Sequence, residues 1–392
     1  MLDCTVTHNH ESIMFEYQER HQFFAQTPGG IEELAAQELA ELGASNIRIA
    51  YRGLRFEAQK EILYRINYEA RLLTRVLAPL KTFHCHNTAY LYRQAKSLDW
   101  SAFFSPENTF AVFSTVSHSR IKHSQYAALC VKDGIADYFR ERFRSRPGIR
   151  REDPDLWINL HIENNLATVS LDTSGGSLHR RGYRKEGVEA PMQETLAAAI
   201  VRATEWDGSI KLYDPFCGSG TLLAEALMSH CRLPAGFLRK RFGFEYLPDF
   251  DASLWLRVKN DCEKRIQPLR KGLLAGSDLA PEAVRAARVN LQALPFGERV
   301  ALDISDFRNL GSLQNTVVVC NPPHGIRLKE SGDILPFYKE LGDFFKQKCK
   351  GSSIFVYLGK KELIPLIGLK PSWKKVLPSG GLDGRLVKFE IY

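Results

Sequence analysis

The strongest constraint on the fold is a ten-residue stretch, LYDPFCGSGT, at positions 212–221. Ile210, Leu212 and Tyr213 predict a buried strand, and residues 221–230 predict an amphipathic helix. Asp214 ends the strand, and the turn that follows contains Gly218 and Gly220. Because glycine has no Cβ, the backbone N–H groups of such a turn can approach a ligand closely. A strand, an acid, a two-glycine turn and a helix in this order predict a nucleotide-type binding turn.

The region that contains this turn, residues 191–392, alternates strands with helices. Strands are predicted at 210–214, 273–278, 300–304, 317–320, 353–358, 373–377 and 386–391. Helices are predicted at 194–203, 221–230, 252–266, 281–294 and 337–348. This alternation predicts an α/β fold with a mostly parallel, doubly wound sheet of seven strands. A glycine-rich link at 379–384 joins the final pair as a hairpin, which makes the last strand antiparallel.

The chain before residue 191 predicts smaller α+β units. Residues 23–80 contain predicted strands at 23–25, 47–51 and 54–58 and helices at 31–42 and 62–77. Residues 81–175 contain predicted strands at 110–116, 157–162 and 166–171 and a helix at 123–143. Residues 1–22 lack the periodicity of a defined element and are predicted to be a leader. The turn-rich residues 176–190 are predicted to be a linker.

Composition narrows the class of protein further. The 392 residues are 44% hydrophobic, which is ample for globular cores. There is no run of about 18 apolar residues and no signal-peptide pattern at the N-terminus, so we predict a cytosolic protein without a membrane partner. The eight cysteines form no C-x-x-C pair, so reduced thiols are expected. His84-Cys85-His86 has no second ligand pair, so no metal is predicted. We expect a monomer.

Positive charge points to a polyanionic partner. The net charge is +8 and the pI is about 9.0. Two clusters concentrate that charge within about fifty residues. They comprise Arg140, Arg142, Arg144, Arg146, Arg150 and Arg151, and then Arg180, Arg181, Arg184 and Lys185, with His179 beside the second. Such a run is either a solvated helix end or a phosphate-contacting surface, and the presence of two clusters favours the second interpretation.

Polar side chains follow four of the predicted parallel strands, where the ligand of an open α/β sheet binds. They are Asp214, Asp278, Asp306 and the group that starts at Asn321. A carboxylate such as Asp278 can accept hydrogen bonds from both hydroxyls of a ribose. The turn reads D-x-x-x-G-x-G, and the spacing from Gly220 to Asp278 exceeds the roughly 20 residues of a dinucleotide fold, so a nicotinamide dehydrogenase is disfavoured.

The second informative stretch is Asn321-Pro322-Pro323-His324. Two prolines fix the backbone after a strand, so the asparagine side chain and a proline carbonyl project together. Both groups accept hydrogen bonds. Directed at an exocyclic amine, they would orient its lone pair toward an electrophile without any covalent intermediate. Taken alone, this stretch could be a structural turn, but its pairing with the upstream glycine turn favours a site.

These stretches resemble a known family. Residues 214–221 and Asn321-Pro322-Pro323 are similar to motifs I and IV of class I S-adenosylmethionine-dependent methyltransferases that act on amino groups of nucleobases. Residues 171–184 and 189–198 resemble the join between a THUMP RNA-binding domain and its methyltransferase domain. The resemblance covers residues 23–392. It is closest to guanine-N2 methyltransferases of large-subunit ribosomal RNA, with THUMP-containing tRNA guanine-N2 enzymes next.

The resemblance implies a ferredoxin-like segment (23–80) and a THUMP domain (81–175) that grip RNA, and a Rossmann-like methyltransferase domain (191–392). Its cofactor would be S-adenosylmethionine. The implied cofactor-binding residues are Asp214, Pro215, Cys217, Gly218, Gly220, Thr221, Asp278, Asp306 and Asn321. Asn321 and Pro322 would hold the guanine N2 amine, with Pro323 and His324 completing the catalytic turn. The family pattern has tyrosine or phenylalanine where this chain has His324, and an imidazole stacks on a flipped base more weakly.

Two rival functions stay open. The same Asn-Pro-Pro turn would serve adenine-N6 methylation of DNA or RNA. The chain could also be an RNA-binding module with a vestigial cofactor site, an alternative that the histidine at 324 motivates. Cys217 and Cys320 flank the predicted pocket without a histidine and acid at recognisable spacing, so we interpret them as packing residues and not as nucleophiles.

Overall fold

The computed structural model describes residues 14–187, 191–323, 334–380 and 382–392. These residues form two compact units. The first unit contains the described residues up to Phe24, Leu77–Asp172 and Tyr246–Pro248. The second contains Ala25–Val76, Thr173–Glu245 and the described residues from Asp249 to Tyr392. The front segment at 25–76 therefore folds together with the C-terminal half of the chain.

The described residues contain ten α-helices and fifteen strands, numbered here in chain order. The helices are α1 (Glu16–Arg20), α2 (Glu32–Glu41), α3 (Lys60–Glu69), α4 (Thr88–Lys96), α5 (Ser124–Phe143), α6 (Glu194–Ala203), α7 (Thr221–His230), α8 (Ala252–Glu263), α9 (Pro281–Gln292) and α10 (Ile334–Lys348). The strands are β1 (Gln22–Gln26), β2 (Ser45–Ala50), β3 (Gly53–Glu57), β4 (Arg75–His84), β5 (Thr109–Ser117), β6 (Gly148–Ile149), β7 (Leu156–Glu163), β8 (Leu166–Asp172), β9 (Leu212–Asp214), β10 (Leu274–Asp278), β11 (Ala301–Ile304), β12 (Val317–Cys320), β13 (Ser352–Leu358), β14 (Trp373–Val376) and β15 (Arg385–Ile391).

The first unit is built on strands in the order β4-β8-β7-β5-β6. The pairs β4–β8 and β7–β8 are antiparallel, whereas β5 is parallel to both β7 and β6. Helices α4 and α5 accompany this sheet, and α4 begins where the Asn87 side chain accepts a hydrogen bond from the Tyr90 N–H at 2.8 Å. A side chain at this position satisfies a backbone donor that the first helical turn leaves unpaired.

The second unit has a front segment and a large sheet. In the front segment β2 and β3 form an antiparallel pair. Helix α3 packs through Tyr64 and Tyr68 onto Phe244 and Trp255, with ring centroids 4.5 Å apart for Tyr64–Phe244 and 5.3 Å for Tyr68–Trp255. The Tyr68 hydroxyl donates to Glu263 at 2.7 Å. Aromatic packing and this hydrogen bond fasten the front segment to residues of the C-terminal half.

The large sheet has seven strands in the order β11-β10-β9-β12-β13-β15-β14. Strands β9 to β13 are parallel, and β15 runs antiparallel to both β13 and β14. The sheet is covered by helices because parallel strands need crossover connections. Its core is fully apolar at Val318, Phe345 and Ile354, each with 0% of its surface exposed. The predicted α/β fold, with a seven-stranded sheet and an antiparallel last strand, is confirmed.

Two local predictions were wrong, and one helix was missed. Helix α3 ends at Glu69, so the residues near Leu73 and Leu77 are not helical, and β4 begins at Arg75. Pro79 lies within β4 where the register with β8 shifts, which accommodates its missing N–H. Helix α4 was not predicted. Residues 14–22 are not a featureless leader, because α1 forms there and buries Tyr17. Of the helices in the described parts of the chain, none is both long and apolar enough to cross a bilayer.

Candidate active site

The candidate site lies at the carboxyl ends of the central parallel strands. Register pairs Gly276 of β10 with Asp214 of β9 and Val318 of β12 with Tyr213 of β9. The turns that leave β9, β10 and β12 therefore emerge at one edge of the sheet. The predicted residues Asp214, Asp278 and Asn321 end or follow these strands. The fold thus brings together three of the polar groups that the sequence placed in one crevice.

The glycine turn after β9, residues 215–220, is held by backbone hydrogen bonds. The Cys217 N–H donates to the Ser277 carbonyl at 2.9 Å, and the Gly220 N–H donates to the Cys217 carbonyl at 2.7 Å. The Gly218 N–H donates to Oδ2 of Asp278 at 2.9 Å. These bonds connect the turn to the end of β10, so the acid predicted to accept a ribose also shapes the glycine turn.

Gly220 is required by both conformation and space. Its φ is +80°, and a Cβ at this position would lie 3.1 Å from the Ala287 Cβ and 3.3 Å from the Ala287 Cα on α9. Gly218 also has a positive φ, +51°, but a Cβ there would meet no atom of the described residues within 4 Å. The absence of a side chain at Gly220 lets α7 pack closely against α9. Gly218 is not crowded by the described residues, which suits a backbone that a ligand approaches.

Asp214 lies beneath the turn, with 1% of its surface exposed. Its Oδ1 accepts the Phe216 N–H at 3.0 Å. Burial raises the pKa of this carboxyl from its ordinary value near 3.8 to about 8; the Phe216 N–H opposes the shift, and the charge of Asp278 adds to it. Asp214 therefore helps to hold the turn by accepting the Phe216 N–H, and its contact with a cofactor stays a prediction.

The end of β10 offers both a polar and an apolar surface. Oδ1 of Asp278 accepts the Ala280 N–H at 3.0 Å, and each carboxylate oxygen keeps a further lone pair for a ligand hydroxyl. The next residue, Leu279, is 66% exposed, and Ile304, which is in register with Asp278, is 60% exposed. Sequence reasoning missed Leu279. A large apolar residue that directly follows a polar strand end could have indicated it.

Asp306 is engaged locally. It caps a short 3-10 helix, Phe307–Asn309, by accepting the Arg308 N–H at 2.9 Å. The Arg308 guanidinium also binds Oδ2 of Asp306 at 2.9 Å and Glu340 at 2.7 Å. Both oxygens of Asp306 thus already have protein partners, and binding of an adenine amine by Asp306 stays a prediction.

The acceptor turn, residues 321–323, follows β12. Oδ1 of Asn321 is buried and has no hydrogen-bond partner among the described residues. Pro322 is buried, and the carbonyl of Pro323 accepts a hydrogen bond from the Tyr338 hydroxyl at 3.2 Å. A buried oxygen without a donor is costly, which is the signature expected of an acceptor kept for a ligand. His324 lies outside the described residues.

Other predicted cofactor residues support the turn. Pro215, Cys217 and Thr221 are buried. Burial raises the pKa of the Cys217 and Cys320 thiols well above the ordinary value, so both stay protonated. This agrees with the packing role predicted for the two cysteines. Within the described parts of the chain, no three His, Cys, Asp or Glu residues are placed to hold a metal.

The second arginine cluster corrects the sequence-based assignment. The side chain of Arg181 is fully buried and pairs with buried Glu225 at 3.4 Å, so it cannot contact RNA. Arg184 is half-buried against the glycine turn. Arg180 and Lys185 are exposed. A charge pattern alone does not reveal burial, because Glu225 lies 44 positions from Arg181 along the chain.

The first cluster stays available to solvent. Arg140, Arg142, Arg144, Arg146, Arg150 and Arg151 are all exposed. They lie at the end of α5 and in the segment around β6, within the first unit. Arg140 pairs with Asp137 at 2.7 Å, whereas Arg142 approaches the Tyr138 ring at 4.3 Å. Binding of RNA by this cluster stays a prediction.

Comparison with known families matches almost the whole chain. Residues 22–77 match the RlmL ferredoxin-like domain, residues 85–172 the THUMP domain, and residues 181–388 the RMKL-like methyltransferase domain. These ranges follow the order of segments inferred from the sequence. The family resemblance drawn from the two motifs is therefore confirmed.

Individual relatives agree. A protein of Synechocystis sp. strain PCC 6803 named "Putative RNA methyltransferase slr0064" is 38% identical over 94% of this chain and 97% of its own length. A protein of Syntrophotalea carbinolica named "Ribosomal RNA large subunit methyltransferase K/L" is 36% identical over 94% of this chain. The chain spans about half, 53%, of the length of that K/L relative.

A solved structure shares the architecture. The crystal structure titled "SMU.472, a putative methyltransferase complexed with SAH" aligns with a TM-score of 0.83 at 26% identity. The alignment covers 95% of this chain and 98% of that one.

Proposed function

This chain belongs to the RMKL-like methyltransferase family, and on that premise we propose that it methylates RNA at the exocyclic N2 amine of a guanosine, with S-adenosylmethionine as the methyl donor. The proposed substrate is large-subunit ribosomal RNA, by analogy with the name of the K/L relatives. Since the chain spans about half of such relatives, this substrate is proposed for the reaction of one methyltransferase domain only.

One observation carries the proposal most directly. Oδ1 of Asn321 is buried and has no donor among the described residues, at the same sheet edge as the glycine turn. An exocyclic amine supplies N–H groups that satisfy such an oxygen, and an amine held by two acceptors directs its lone pair away from them. The exocyclic amines of guanine and adenine supply two N–H groups, one for Asn321 and one for the Pro322 carbonyl, whereas a hydroxyl nucleophile has a single O–H and would leave one of the two acceptors without a donor.

The residues on the other side of the site suit the cofactor. No atom of the described residues would crowd a side chain at Gly218, Asp278 keeps lone pairs for ribose hydroxyls, and exposed Leu279 offers an apolar surface for the adenine ring. When bound, S-adenosylmethionine supplies an electrophilic methyl group on a sulfonium that is a good leaving centre.

The chain's own contribution is positioning. Asn321 and the carbonyl of Pro322 would hold the two N–H groups of the amine, while Tyr338 fixes the Pro323 carbonyl and so the course of the turn. The prolines restrict backbone rotation, so little order must be gained when the base binds. The target base must leave its stack to reach a turn of this kind.

The exposed arginines from Arg140 to Arg151, with Arg180 and Lys185, would bind RNA phosphates. Phosphate contacts provide affinity that weakens as salt rises and do not select a base. The selection of an exocyclic amine would therefore depend on the acceptor turn, and the affinity for RNA on these exposed basic residues.

The test is incubation of the protein with labelled S-adenosylmethionine and, in parallel, 23S ribosomal RNA, tRNA and duplex DNA. Digestion to nucleosides and mass spectrometry then identify the product. N2-methylguanosine from ribosomal RNA is the expected result, and Asn321→Ala serves as the inactive control. Label in N6-methyladenosine would instead establish the rival adenine specificity. Absence of any cofactor heat in calorimetry would favour an RNA-binding module.

A further inference from the structure

Arg184 belongs to a cluster predicted to bind RNA, yet its guanidinium is occupied inside the second unit. Nη1 donates to the Ser219 hydroxyl at 3.0 Å, and Nη2 donates to the Thr221 hydroxyl at 3.1 Å. Nη2 also donates to the Met192 carbonyl at 3.0 Å, and Nε donates to Glu194 at 3.0 Å. The side chain keeps 22% of its surface exposed. Its donors are therefore directed at the protein and not at solvent.

The partners of Arg184 have a common location. Ser219 and Thr221 flank Gly220, which has a φ of +80° at the start of α7. Met192 and Glu194 stand at the start of α6. One guanidinium thus bridges the glycine turn and the first residues of a neighbouring helix. A glycine in the left-handed region is free to move, so contacts on both sides of it limit that freedom.

Asn290 on α9 braces the same turn from another side. Its Oδ1 accepts the N–H groups of Lys185 and Glu186 at 2.7 and 3.0 Å. Its Nδ2 donates to the Ser219 carbonyl at 3.0 Å and to the Glu186 carbonyl at 2.8 Å. Asn290 is fully buried. The segment 184–186 is therefore tied to Ser219 twice, once by a charged side chain and once through a buried amide.

This arrangement requires an arginine. A guanidinium offers five donors in a rigid plane, so it can reach Ser219, Thr221 and Glu194 at the same time. A lysine ammonium keeps the charge but cannot present donors in that fork. Glu194 balances the charge of Arg184 at 2.9 Å. The ion pair with Glu194 holds the guanidinium in place. The N–H groups of the guanidinium in turn fix the positions of the Ser219 and Thr221 hydroxyls.

We propose that Arg184 is a positioning residue of the cofactor site, which fixes the conformation of the glycine turn through Ser219 and Thr221. It fixes the course of the backbone on both sides of Gly220 and makes no contact with the RNA. The inference rests on the proposed function only for the identity of the ligand, S-adenosylmethionine or its product S-adenosylhomocysteine.

The experiment compares Arg184→Ala, Arg184→Lys and Lys185→Ala in the full chain. Lys185→Ala is the matched control, because it removes the same charge from an exposed side chain at the next position. Calorimetry with S-adenosylhomocysteine, in the absence of RNA, gives cofactor affinity. Filter binding with a 23S ribosomal RNA transcript gives RNA affinity, and circular dichroism checks that each variant is folded.

Arg184→Ala is expected to weaken S-adenosylhomocysteine binding by about 10- to 100-fold, since bonds to a charged group are lost. KM for S-adenosylmethionine should rise in proportion, while kcat at saturating cofactor changes less than about threefold. Arg184→Lys should recover part of the affinity. Lys185→Ala should bind the cofactor within about twofold of the parent, because a surface charge contributes little.

Two results would overturn the inference. One is equal cofactor affinity for Arg184→Ala and Lys185→Ala in folded proteins, and the other is a loss confined to RNA affinity. If Arg184→Ala does not fold, the same comparison is made with Arg184→Lys and with Ser219→Ala, and cofactor affinity equal to the parent in both would overturn it. Cofactor binding by the parent without methylation of guanosine would contradict the proposed function alone.

Discussion

The glycine turn and the acceptor turn leave neighbouring strands of one sheet, but they are held in opposite ways. Around residues 215–221, donors and acceptors are largely paired within the protein, through Asp278, Arg184 and Asn290. At residues 321–323 the backbone is stiffened by two prolines, and Oδ1 of Asn321 is left without a donor among the described residues. The first turn is shaped before the ligand arrives, whereas the second keeps an unsatisfied group for its substrate. The difference indicates that affinity and chemistry are divided between the two turns.

The most damaging change should be Asn321→Ala in the acceptor turn. Loss of one preorganised polar contact to a reacting group lowers kcat by about 10²- to 10³-fold. Cofactor affinity should change less than about twofold, because the glycine turn is intact. Steady-state kinetics and calorimetry measure the two quantities. Asn309→Ala, at an exposed position, is the control. A kcat of Asn321→Ala within about threefold of the parent would contradict the assignment of the chemistry to the acceptor turn.

Gly220→Ala tests the glycine turn, where the expected change is in cofactor affinity. A side chain at φ +80°, close to Ala287, is strained by about 1–3 kcal/mol. We expect weaker S-adenosylhomocysteine binding, by about tenfold or more, and a lower free energy of unfolding. Calorimetry and urea denaturation report these changes. Gly187→Ala is the control, since a Cβ there would meet no atom of the described residues within 4 Å. Normal cofactor affinity in the Gly220 variant would show that the turn tolerates distortion.

The pH dependence of the free energy of unfolding should reveal the raised pKa of Asp214. Its folded pKa of about 8 exceeds its ordinary value near 3.8, so the folded protein retains a proton that the unfolded chain releases. The resulting stability is fully present below about pH 4 and is lost as pH rises through about 8. Asp214→Asn keeps the acceptor for the Phe216 N–H but does not titrate.

The difference in unfolding free energy between the parent and Asp214→Asn should therefore shift by on the order of 4 kcal/mol between pH 5 and pH 8.5. Urea denaturation across that range measures it. The parent should lose stability relative to the variant as pH rises. Parallel pH profiles would mean that the carboxyl is ionised throughout and that the turn is held by a charge.

Tyr338→Phe should have the smallest effect. It removes one hydroxyl bond to the Pro323 carbonyl and keeps the buried ring. A neutral hydrogen bond contributes about 0.5–1.5 kcal/mol, which corresponds to a decrease in kcat of about 2- to 12-fold. KM for S-adenosylmethionine should stay the same. A rise in that KM, with kcat unchanged, would connect Tyr338 to the cofactor side and blur the distinction between the turns.

The glycine turn could be predicted because its signals are local: a strand, an acid and glycines adjacent in sequence. Helix α3 was extended too far because apolar residues at 73 and 77 fit helical spacing as well as the strand that the structure contains. The roles of Arg181 and Arg184 could not be predicted from a charge pattern. Their partners Glu225 and Ser219 lie 44 and 35 positions away, and only the fold brings them together.

Leu279 was missed for a related reason. An apolar residue after a strand is ordinarily assigned to the core, and its exposure follows from how β10 ends beside β11. Asn321 was predicted from the two prolines that follow it, but the fact that its oxygen has no donor among the described residues is a property of the packed structure.

The buried ion pair of Arg181 and Glu225 couples two positions that are 44 residues apart in the sequence. Each charge is fully shielded from water, and the Tyr183 hydroxyl also donates to Glu225 at 3.1 Å. Replacing one member removes a buried partner of the other, although Arg71 also interacts with Glu225, whereas replacing both by apolar residues of similar volume can be tolerated. Among relatives, these two positions should therefore be inherited or lost as a couple, and chimaeras that join segments from different lineages between them should fold only when both segments carry the same version.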